Sequence, residues 1–186
     1  MKLIKAIQNR KSIRAFADKP VEQKKLNLLF EAARWAPSSR NEQPWTYFYA
    51  EKKDQQAFDK FIGCLNPGNQ VWAKNAPLIL LSVAKRIFDY KSRQNKHFMH
   101  DVGAANVSLA LQATEMRLQA HQMAGYNRGQ TLSVFQLDEE KYEPASFIAV
   151  GYPGDPGSLP EDVRKKETKP RIRKDQSDFV IQIESK

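Results

Sequence analysis

Basic and hydroxyl side chains gather near the amino terminus in the pentapeptide RKSIR, at residues 10 to 14. Arg10, Lys11 and Arg14 supply three cations, and Ser12 supplies a hydroxyl group. Guanidinium groups bind phosphate oxygens through paired hydrogen bonds, so this cluster could hold a small anion. Basic residues that follow a helix can equally stabilise its carboxyl-terminal dipole. The pentapeptide alone does not decide between a ligand site and a helix cap.

Another set of hydrogen-bonding side chains occupies the stretch RWAPSSRNEQPW, at residues 34 to 45. Pro37 ends a preceding helical pattern, since the residue before a proline is pushed out of the helical conformation. Pro44 then stiffens the chain before it returns to apolar character. The stretch raises the question of which ligand a loop of this composition would hold. Its polar side chains are those of Ser38, Ser39, Arg40, Asn41 and Gln43.

The chain carries 30 Lys and Arg against 21 Asp and Glu, which gives a formal net charge of +9. Such a charge could neutralise nucleic-acid phosphates, but no recognisable nucleic-acid-binding motif accompanies it. Much of the charge is scattered, so a solvated basic surface is a simpler interpretation than a duplex-binding face. The denser spots are residues 10 to 14, 164 to 166 and 169 to 174. We favour a third interpretation, in which two of these clusters converge on one small anionic ligand.

Histidine, cysteine and glycine patterns predict neither a metal site nor a phosphate loop. His97 and His100 lie three residues apart, on one helical face, but no third ligand follows at a diagnostic spacing. Cys64 is the only cysteine, so no intramolecular disulfide can form, and nothing in the sequence brings it to His121. The segment GYPGDPG lacks the G-x-G-x-x-G spacing, and its prolines lack the amide hydrogens that a phosphate loop uses.

Apolar periodicity places these clusters between predicted helices and strands. Leu3, Ile4 and Ile7 predict a short helix, so that the RKSIR cluster follows its end. The run LILLSVA is apolar on both faces, as expected of a central strand. The further predicted elements, in chain order, are a helix through Leu26, Leu29, Phe30 and Ala33, a strand at 46–50, a helix at 54–62, a turn at 66–69, the central strand at 78–84, a helix at 100–116, a loop and a short helix from 120 onward, a strand at 146–152 and an edge strand at 179–184.

One globular domain is expected over residues 1–186, because 41% hydrophobic residues can form a sizeable core. Strands separated by helices predict a mixed α/β-type sandwich. No apolar run is long enough to cross a bilayer, and the start of the chain lacks the long apolar region of a signal peptide. We therefore expect a cytoplasmic protein with no membrane and no nucleic-acid partner.

Six segments together resemble the nitroreductase family of flavin enzymes, in particular its short bacterial-type branch. They follow the family's order over nearly the whole chain: RKSIRAF, APSSRNEQPW, HDVGAANVSLALQAT, AHQMAGY, AVGYPGD and KPRIRK. The combination of RxSIRxF with APSSxNxQPW is specific, whereas either motif alone is not. The resemblance implies an α+β fold, a three-layer sandwich with a central, mostly antiparallel sheet flanked by helices. It also implies a homodimer with flavin sites at the subunit interface, in which residues 100 to 116 contribute to the interface and the C-terminal tail extends onto the partner subunit.

The resemblance implies that the RKSIR segment binds FMN. Arg10 and Lys11 would lie near the phosphate and ribityl end of the cofactor, with Ser12 beside them. Arg14 would reach the pyrimidine side of the ring and stabilise the negative charge that forms at N1 and O2 when the ring is reduced. Both dense basic clusters would then meet at one phosphate, which accounts for their charge.

Other segments complete the FMN site that the resemblance implies. The polar loop would be supplied by the partner subunit and would close over the flavin of the neighbouring chain, which answers the question that the loop raises. The MAGY segment would present its backbone to the ring atom N5. The residues implied are Pro37, Ser38, Ser39 and Asn41 in the loop, Ala124 and Gly125 at N5, Lys169 and Arg171 at the phosphate, and Asn69 as a further contact.

The implied activity is hydride transfer from NADH or NADPH, through N5 of FMN, to an electron-poor small molecule such as a nitroaromatic compound or a quinone. One open pocket would admit donor and acceptor in turn, which predicts a ping-pong cycle. The sequence predicts no nucleophile or acid–base pair of the protein's own. A flavin-binding or sensing protein without significant turnover is the alternative, and a basic nucleic-acid-binding protein is a more distant one.

Three positions depart from the pattern of the family. Lys11 stands where arginine is frequent, and EMRLQ at residues 115 to 119 replaces a glycine-rich turn found in many relatives. Arg128 follows the MAGY segment and is expected near the mouth of the pocket, together with Asn127. An arginine there could favour an anionic substrate or the phosphate of NADPH, although a solvent-exposed loop arginine is the simpler interpretation.

Overall fold

The computed structural model describes residues 2–89 and 93–183, and four strands within these ranges form one sheet. The strands lie in the order β1-β2-β4-β3, and every neighbouring pair is antiparallel. The expected central antiparallel sheet is therefore confirmed. The strand bounds are Trp45–Glu51 for β1, Leu78–Lys85 for β2, Gln119–Met123 for β3 and Tyr142–Gly151 for β4.

Helices cover both faces of the sheet. The helices in the described ranges are α1 (Lys5–Asn9), α2 (Gln23–Arg34), α3 (Gln55–Cys64), α4 (Pro67–Ala73), α5 (Phe98–Glu115), α6 (Arg128–Val134) and α7 (Glu161–Glu167). Short 3₁₀ turns lie at Ser39–Asn41, Pro156–Ser158 and Gln176–Asp178.

The alternation of side chains along β2 separates two hydrophobic cores. Successive residues of a strand point to opposite faces, so Ile79 and Leu81 pack against Phe58 of α3 and Trp72 of α4. Residues 78 and 80 point to the other face, where α2 and α5 supply Leu26, Leu29, Leu109 and Ala113. Both faces of β2 are buried, as its apolar sequence predicts. The result is the three-layer arrangement of helix, sheet and helix.

Helix α5 is the longest helix and carries apolar residues on more than one side. Ala105, Leu109 and Ala113 recur at intervals of four residues and are buried between α2 and the sheet. Val107 lies on another side of the helix and is 51% exposed. In the described ranges, no helix combines the length and the apolar character that crossing a membrane requires.

Three sequence-based predictions of local structure are wrong. Residues 66 to 69 begin α4 and do not form a turn, because Pro67 occupies the first helical position, where its missing amide hydrogen costs nothing. Residues 119 to 123 form β3, whose hydrogen bonds come from β4. The alternating tail residues 179 to 183 form no strand and are exposed. Glu184, the last residue of that predicted strand, lies outside the described residues.

Candidate functional site

Two basic segments line one open cleft, and each segment directly follows a short helix. The RKSIR segment begins where α1 ends at Asn9, and the segment 168–173 begins where α7 ends at Glu167. The cleft between them has a volume of about 750 Å³. Its lining residues are Arg10, Lys11, Ser12, Arg14, Lys166, Glu167, Thr168, Lys169, Pro170, Arg171 and Arg173. The fold thus brings together the two clusters that are more than 150 positions apart in sequence.

The backbone of the RKSIR segment is held at several points by side chains from distant elements. The guanidinium group of Arg171 donates hydrogen bonds to the carbonyl oxygens of Gln8 and Arg10. At the other end, the carboxylate of Glu167 accepts the amide hydrogen of Arg14, with both of its oxygens 3.0 Å from the nitrogen. Oε1 of Gln119, at the start of β3, accepts the amide of Lys11 at 2.7 Å. These contacts fix the direction in which the basic side chains leave the chain.

Positive charges are crowded in the cleft. The pKa of Arg10 is lowered from its ordinary value, first because the guanidinium is partly buried and then because Arg171 and Arg173 lie near it. Like charges held this close repel one another, and a bound anion would relieve that repulsion. The cleft therefore has the electrostatic character of a site for a phosphate group.

Arg14 lies between a carboxylate and an aromatic ring. Its Nη1 atom is 3.5 Å from Oε2 of Glu167, and its guanidinium carbon is 5.9 Å from the centre of the Trp72 ring. Glu167 also accepts the amide hydrogen of Ala15 at 3.4 Å. The Glu167 side chain is only 8% exposed, so these contacts are partly shielded from water. A planar cation held on both sides has few rotamers available.

A second cavity adjoins the cleft and shares Arg10 and Ser12 with it. This cavity of about 330 Å³ lies between α1, α5 and β3. Arg10 donates a hydrogen bond to the Ser12 hydroxyl at 3.3 Å. The rest of the lining is mainly apolar and consists of Ile7, Val107, Ala110, Leu111, Ala120 and Gln122.

The loop between Pro37 and Pro44 has an unusual backbone. Arg40, Asn41 and Gln43 have φ angles of 55°, 56° and 51°, in the left-handed region that disfavours residues other than glycine. Two hydrogen bonds stabilise this conformation: the Ser39 amide donates to Asp101 at 3.1 Å, and the Gln43 amide donates to the Ser38 hydroxyl at 2.9 Å. Asp101 is buried in the first turn of α5. Strained backbone that the surrounding structure maintains is typical of ligand-binding loops.

This loop lines a cavity different from the basic cleft. Ser39 and Arg40 face a cavity of about 280 Å³ together with Phe88, Arg93, Gln94, Lys96 and His97. Pro37 and Asn41 are exposed. Within one chain, the loop and the basic cleft therefore line separate cavities. This separation is compatible with a loop that covers the flavin of the neighbouring chain.

Gly125 follows β3 at the end of the predicted N5 segment and is closely surrounded. Its carbonyl oxygen accepts hydrogen bonds from the Asn66 amide and from Nδ2 of Asn69, each at 3.0 Å. A Cβ atom at this position would lie 2.7 Å from that Asn69 nitrogen, so a larger residue would displace the Asn69 side chain from its hydrogen bond. Asn69, predicted as a cofactor contact, therefore has a structural role in holding this segment. Ala124 beside it is exposed.

Two residues that the sequence analysis did not assign to the cofactor site, His121 and Glu167, position it. Nδ1 of His121 donates to the carbonyl oxygen of Ile13 at 2.8 Å, and the imidazole stacks on Trp72 with ring centres 4.5 Å apart. Burial, the largest cause, lowers the pKa of His121 to about 4. Glu167 holds the next residues of the same segment. The only sequence signal for Glu167 is that it is an acidic residue within the basic run 164 to 174.

Arg128 is engaged by carboxylates. It forms two hydrogen bonds of 2.8 Å with Glu143 and one of 3.2 Å with Glu139. The interpretation of Arg128 as a surface arginine is therefore the better supported one, and its ion pairs account for its position without an anionic substrate.

Comparison with known proteins agrees with this geometry. The model of the nitroreductase family matches residues 7–152. A curated relative from Bacillus subtilis (strain 168), named as an FMN reductase acting with NAD(P)H, is 30% identical over 169 residues, which cover 82% of this chain and 66% of that protein. The solved structure of an oxidoreductase containing FMN superposes with a TM-score of 0.90 at 30% identity and covers 98% of this chain and 92% of its own. A nitroreductase family protein from Clostridium difficile 630, at 23% identity and a TM-score of 0.74 with 97% and 98% coverage, has the same fold.

Proposed function

The chain belongs to the nitroreductase family, and on that basis we propose that it is an NAD(P)H-dependent oxidoreductase with FMN as its cofactor. The names of the Bacillus subtilis relative and of the similar solved structure both refer to FMN, and the chain spans 66% of the length of the former and 92% of the latter. The observation that carries the proposal is the convergence of two basic segments on one cleft.

The residues present fit a cofactor that combines a phosphate with a planar ring. The cleft volume of about 750 Å³ lies within the range of about 300–1,000 Å³ that is usual for small-molecule sites. Arg10, Lys11, Lys169 and Arg171 would bind the phosphate, with Ser12 beside them. The pKa of Arg10 is lowered first by burial and then by the charges of Arg171 and Arg173, and a bound phosphate would relieve this repulsion.

The ring would extend from the phosphate toward Arg14 and the end of β3. The backbone at Ala124 and Gly125 would face N5, and Asn69 keeps that backbone in place through its hydrogen bond to Gly125. From the partner subunit, Pro37, Ser38, Ser39 and Asn41 would cover the ring and restrict the access of water. The hydrogen bonds within the loop prepare it for this role before any ligand binds.

Bound FMN supplies the redox chemistry, since its N5 accepts a hydride from NADH or NADPH and returns it to an acceptor. Arg14 would lie beside the pyrimidine portion of the ring, and its positive charge would favour reduction by stabilising the negative charge that the ring gains there. The chain's own residues would thus bind and orient the cofactor and adjust its electrostatic environment, and water would supply the proton that the acceptor takes up together with the hydride.

The acceptor would be an electron-poor planar compound, such as a nitroaromatic compound or a quinone. Donor and acceptor would use the same open face in turn, which gives ping-pong kinetics. Double-reciprocal plots of the initial rate against donor concentration, at several acceptor concentrations, should then be parallel. Intersecting lines would exclude a ping-pong cycle. We also propose that the protein is cytoplasmic and that it is a homodimer. The homodimer is supported by the apolar residues exposed on α1 and α5, which line a cavity that adjoins the cleft.

The test is the visible spectrum of the purified protein after addition of FMN and desalting, followed by anaerobic addition of NADH and then of NADPH. Retained yellow colour that is bleached by either nucleotide would support the oxidoreductase, and the faster donor would identify its preference. FMN that is retained but is not bleached would favour a flavin-binding or sensing protein. A preparation that never retains FMN would contradict the proposal.

A further inference from the structure

An acidic residue is among those that line the basic cleft, where its charge would oppose the binding of a phosphate. Glu167 lines the cleft beside Lys166, Lys169 and Arg171. Its side chain is 8% exposed, so its charge is poorly screened by water. A carboxylate in an anion site weakens the binding of the anion, so its presence indicates that it has another role. The contacts of Glu167 indicate what this role is.

Glu167 makes two kinds of contact with the same short stretch of chain. Its oxygens accept the backbone amide hydrogens of Arg14 and Ala15, at distances of 3.0 to 3.4 Å. Its Oε2 atom also lies 3.5 Å from Nη1 of Arg14, as an ion pair. The first kind of contact depends on the reach of the carboxylate. The second depends on its charge.

We infer that Glu167 is a positioning residue that holds the flavin-binding segment in place and sets the reduction potential of the flavin through its ion pair with Arg14. The inference rests on the proposed function, in which Arg14 faces the pyrimidine side of FMN. The positive charge of Arg14 stabilises reduced FMN more than oxidised FMN, because reduction adds negative charge there. The carboxylate of Glu167 offsets part of that positive charge and keeps the potential lower than Arg14 alone would make it.

The location of the pair strengthens its effect. Charges interact more strongly in partly buried surroundings than in bulk water, and Arg14 and Glu167 are both mostly shielded. Arg14 is also confined by the neighbouring Trp72 ring, so it has little freedom to leave its partner. Glu167 terminates α7, directly before the second basic segment, and therefore couples both parts of the phosphate site.

The decisive variant is Glu167→Gln, which keeps the shape of the side chain and removes its charge. The matched control is Glu161→Gln, which removes the same charge from the same helix at an exposed position paired with Lys165. Two quantities are measured for each protein: the dissociation constant of oxidised FMN and the potential of bound FMN in an equilibrium redox titration. We expect Glu167→Gln to favour reduced over oxidised FMN by about tenfold relative to wild type, equivalent to about 30 mV for this two-electron couple. Glu161→Gln should match the wild type.

A purely structural role gives a different result. It would weaken the binding of oxidised and reduced FMN equally, so the dissociation constant would change while the potential stayed the same, and this outcome would overturn the charge effect. In an Arg14→Gln background the effect of Glu167→Gln on the potential should disappear, because the two residues act as a pair. A potential shift that persists there would show that Glu167 does not act through Arg14.

Glu167→Asp shortens the side chain but keeps its charge, so it distinguishes the role of the amide contacts from that of the ion pair. It also supplies a test if the glutamine variant does not fold. The aspartate keeps the charge but is one methylene shorter, so it cannot contact both amides. We expect weaker FMN binding with a nearly unchanged potential, and wild-type FMN affinity would overturn the holding role. Failure of wild-type protein to retain FMN would contradict the proposed function. Retained and reducible FMN whose affinity and potential are insensitive to position 167 would contradict this inference alone.

Discussion

Arg171 illustrates how one side chain can build a site and also bind its ligand. A guanidinium group has five N–H donors, and two of those of Arg171 are directed at the carbonyl oxygens of Gln8 and Arg10. The remaining donors are available to a phosphate. The family resemblance implies the phosphate contact of Lys169 and Arg171, whereas the contacts of Arg171 to residues 8 and 10 depend on a fold that brings together distant parts of the chain.

Arg171→Ala should weaken FMN binding by about tenfold to a hundredfold, because a hydrogen bond to a charged group contributes about 1.5–3 kcal/mol. Titration of the apoprotein with FMN, followed by flavin fluorescence, measures this change. Arg164→Ala is the control, since it removes an equal charge from exposed α7, at a residue outside the cleft lining. Urea unfolding of the apoprotein should remain a single cooperative transition, which shows that the variant is folded, and unchanged FMN affinity would remove Arg171 from the site.

His121 should make the stability of the protein depend on pH. Burial lowers its pKa in the folded protein to about 4, against an ordinary value of 6.5 in the unfolded chain. The unfolded state therefore takes up a proton first as the pH falls. The contribution of the neutral imidazole is fully present above pH 6.5 and is lost progressively toward pH 4, by a total of about 3 kcal/mol.

Comparison with His121→Gln isolates this contribution. Glutamine can still donate a hydrogen bond to the Ile13 carbonyl oxygen but does not titrate. The difference in unfolding free energy between the two proteins, measured in urea from pH 7 to pH 4, should fall as the pH falls, while other titrating groups cancel. A constant difference over this range would show that His121 is not buried in its neutral form.

The long apolar elements could be predicted from the sequence, whereas a short polar strand could not. Helices α2 and α5 and strands β2 and β4 were predicted because each buries a periodic set of apolar residues. Strand β3 has the sequence QAHQM, which contains few apolar residues, and it exists because β4 pairs with it. Its polar residues are the ones that hold the RKSIR segment, through Gln119 and His121. The parts of the site that local patterns could not reveal therefore depend on contacts between distant residues.

The C-terminal end of α5 contains an arginine where glycine is favoured. The amide of Leu118 bonds to the Ala113 carbonyl at 2.8 Å and that of Arg117 bonds to Thr114 at 3.1 Å, which is the Schellman pattern. It requires a left-handed residue, and Arg117 has a φ of 64°. Arg117 lies in the segment EMRLQ, which departs from the glycine-rich turn of the family pattern.

Arg117→Gly should stabilise the protein by up to about 1 kcal/mol, because glycine adopts this conformation without a steric penalty. For a chain of this size the melting temperature should rise by about 2–4 °C. Lys60→Gly, at an exposed position in the interior of α3, is the opposing control and should destabilise the protein by a similar amount, since glycine weakens a helix interior. A lower melting temperature for Arg117→Gly would mean that the arginine side chain stabilises this turn by other contacts.

Several exposed apolar residues lie near the basic cleft and indicate where a second subunit would bind. Leu3, Ile4 and Ile7 of the amino-terminal region and Val107 of α5 are between 40% and 65% exposed. Ile7 and Val107 line the cavity that Arg10 and Ser12 share with the basic cleft. Apolar residues this exposed are typical of a subunit interface, and we propose that in such a dimer the loop of residues 37 to 41 of the partner subunit completes this cleft.

Dimerisation and FMN retention should therefore be lost together in Val107→Glu. A charge placed at the centre of an apolar interface is costly unless it is paired, so the variant should sediment as a monomer. Because FMN would bind only where two chains meet, the monomer should lose its flavin absorbance on desalting. Val134→Glu, which places the same charge on α6 at a residue 37% exposed, should remain dimeric and yellow. A monomeric Val107→Glu protein that retains FMN as tightly as the wild type would show that the basic cleft of one chain is sufficient and that the loop of residues 37 to 41 acts elsewhere.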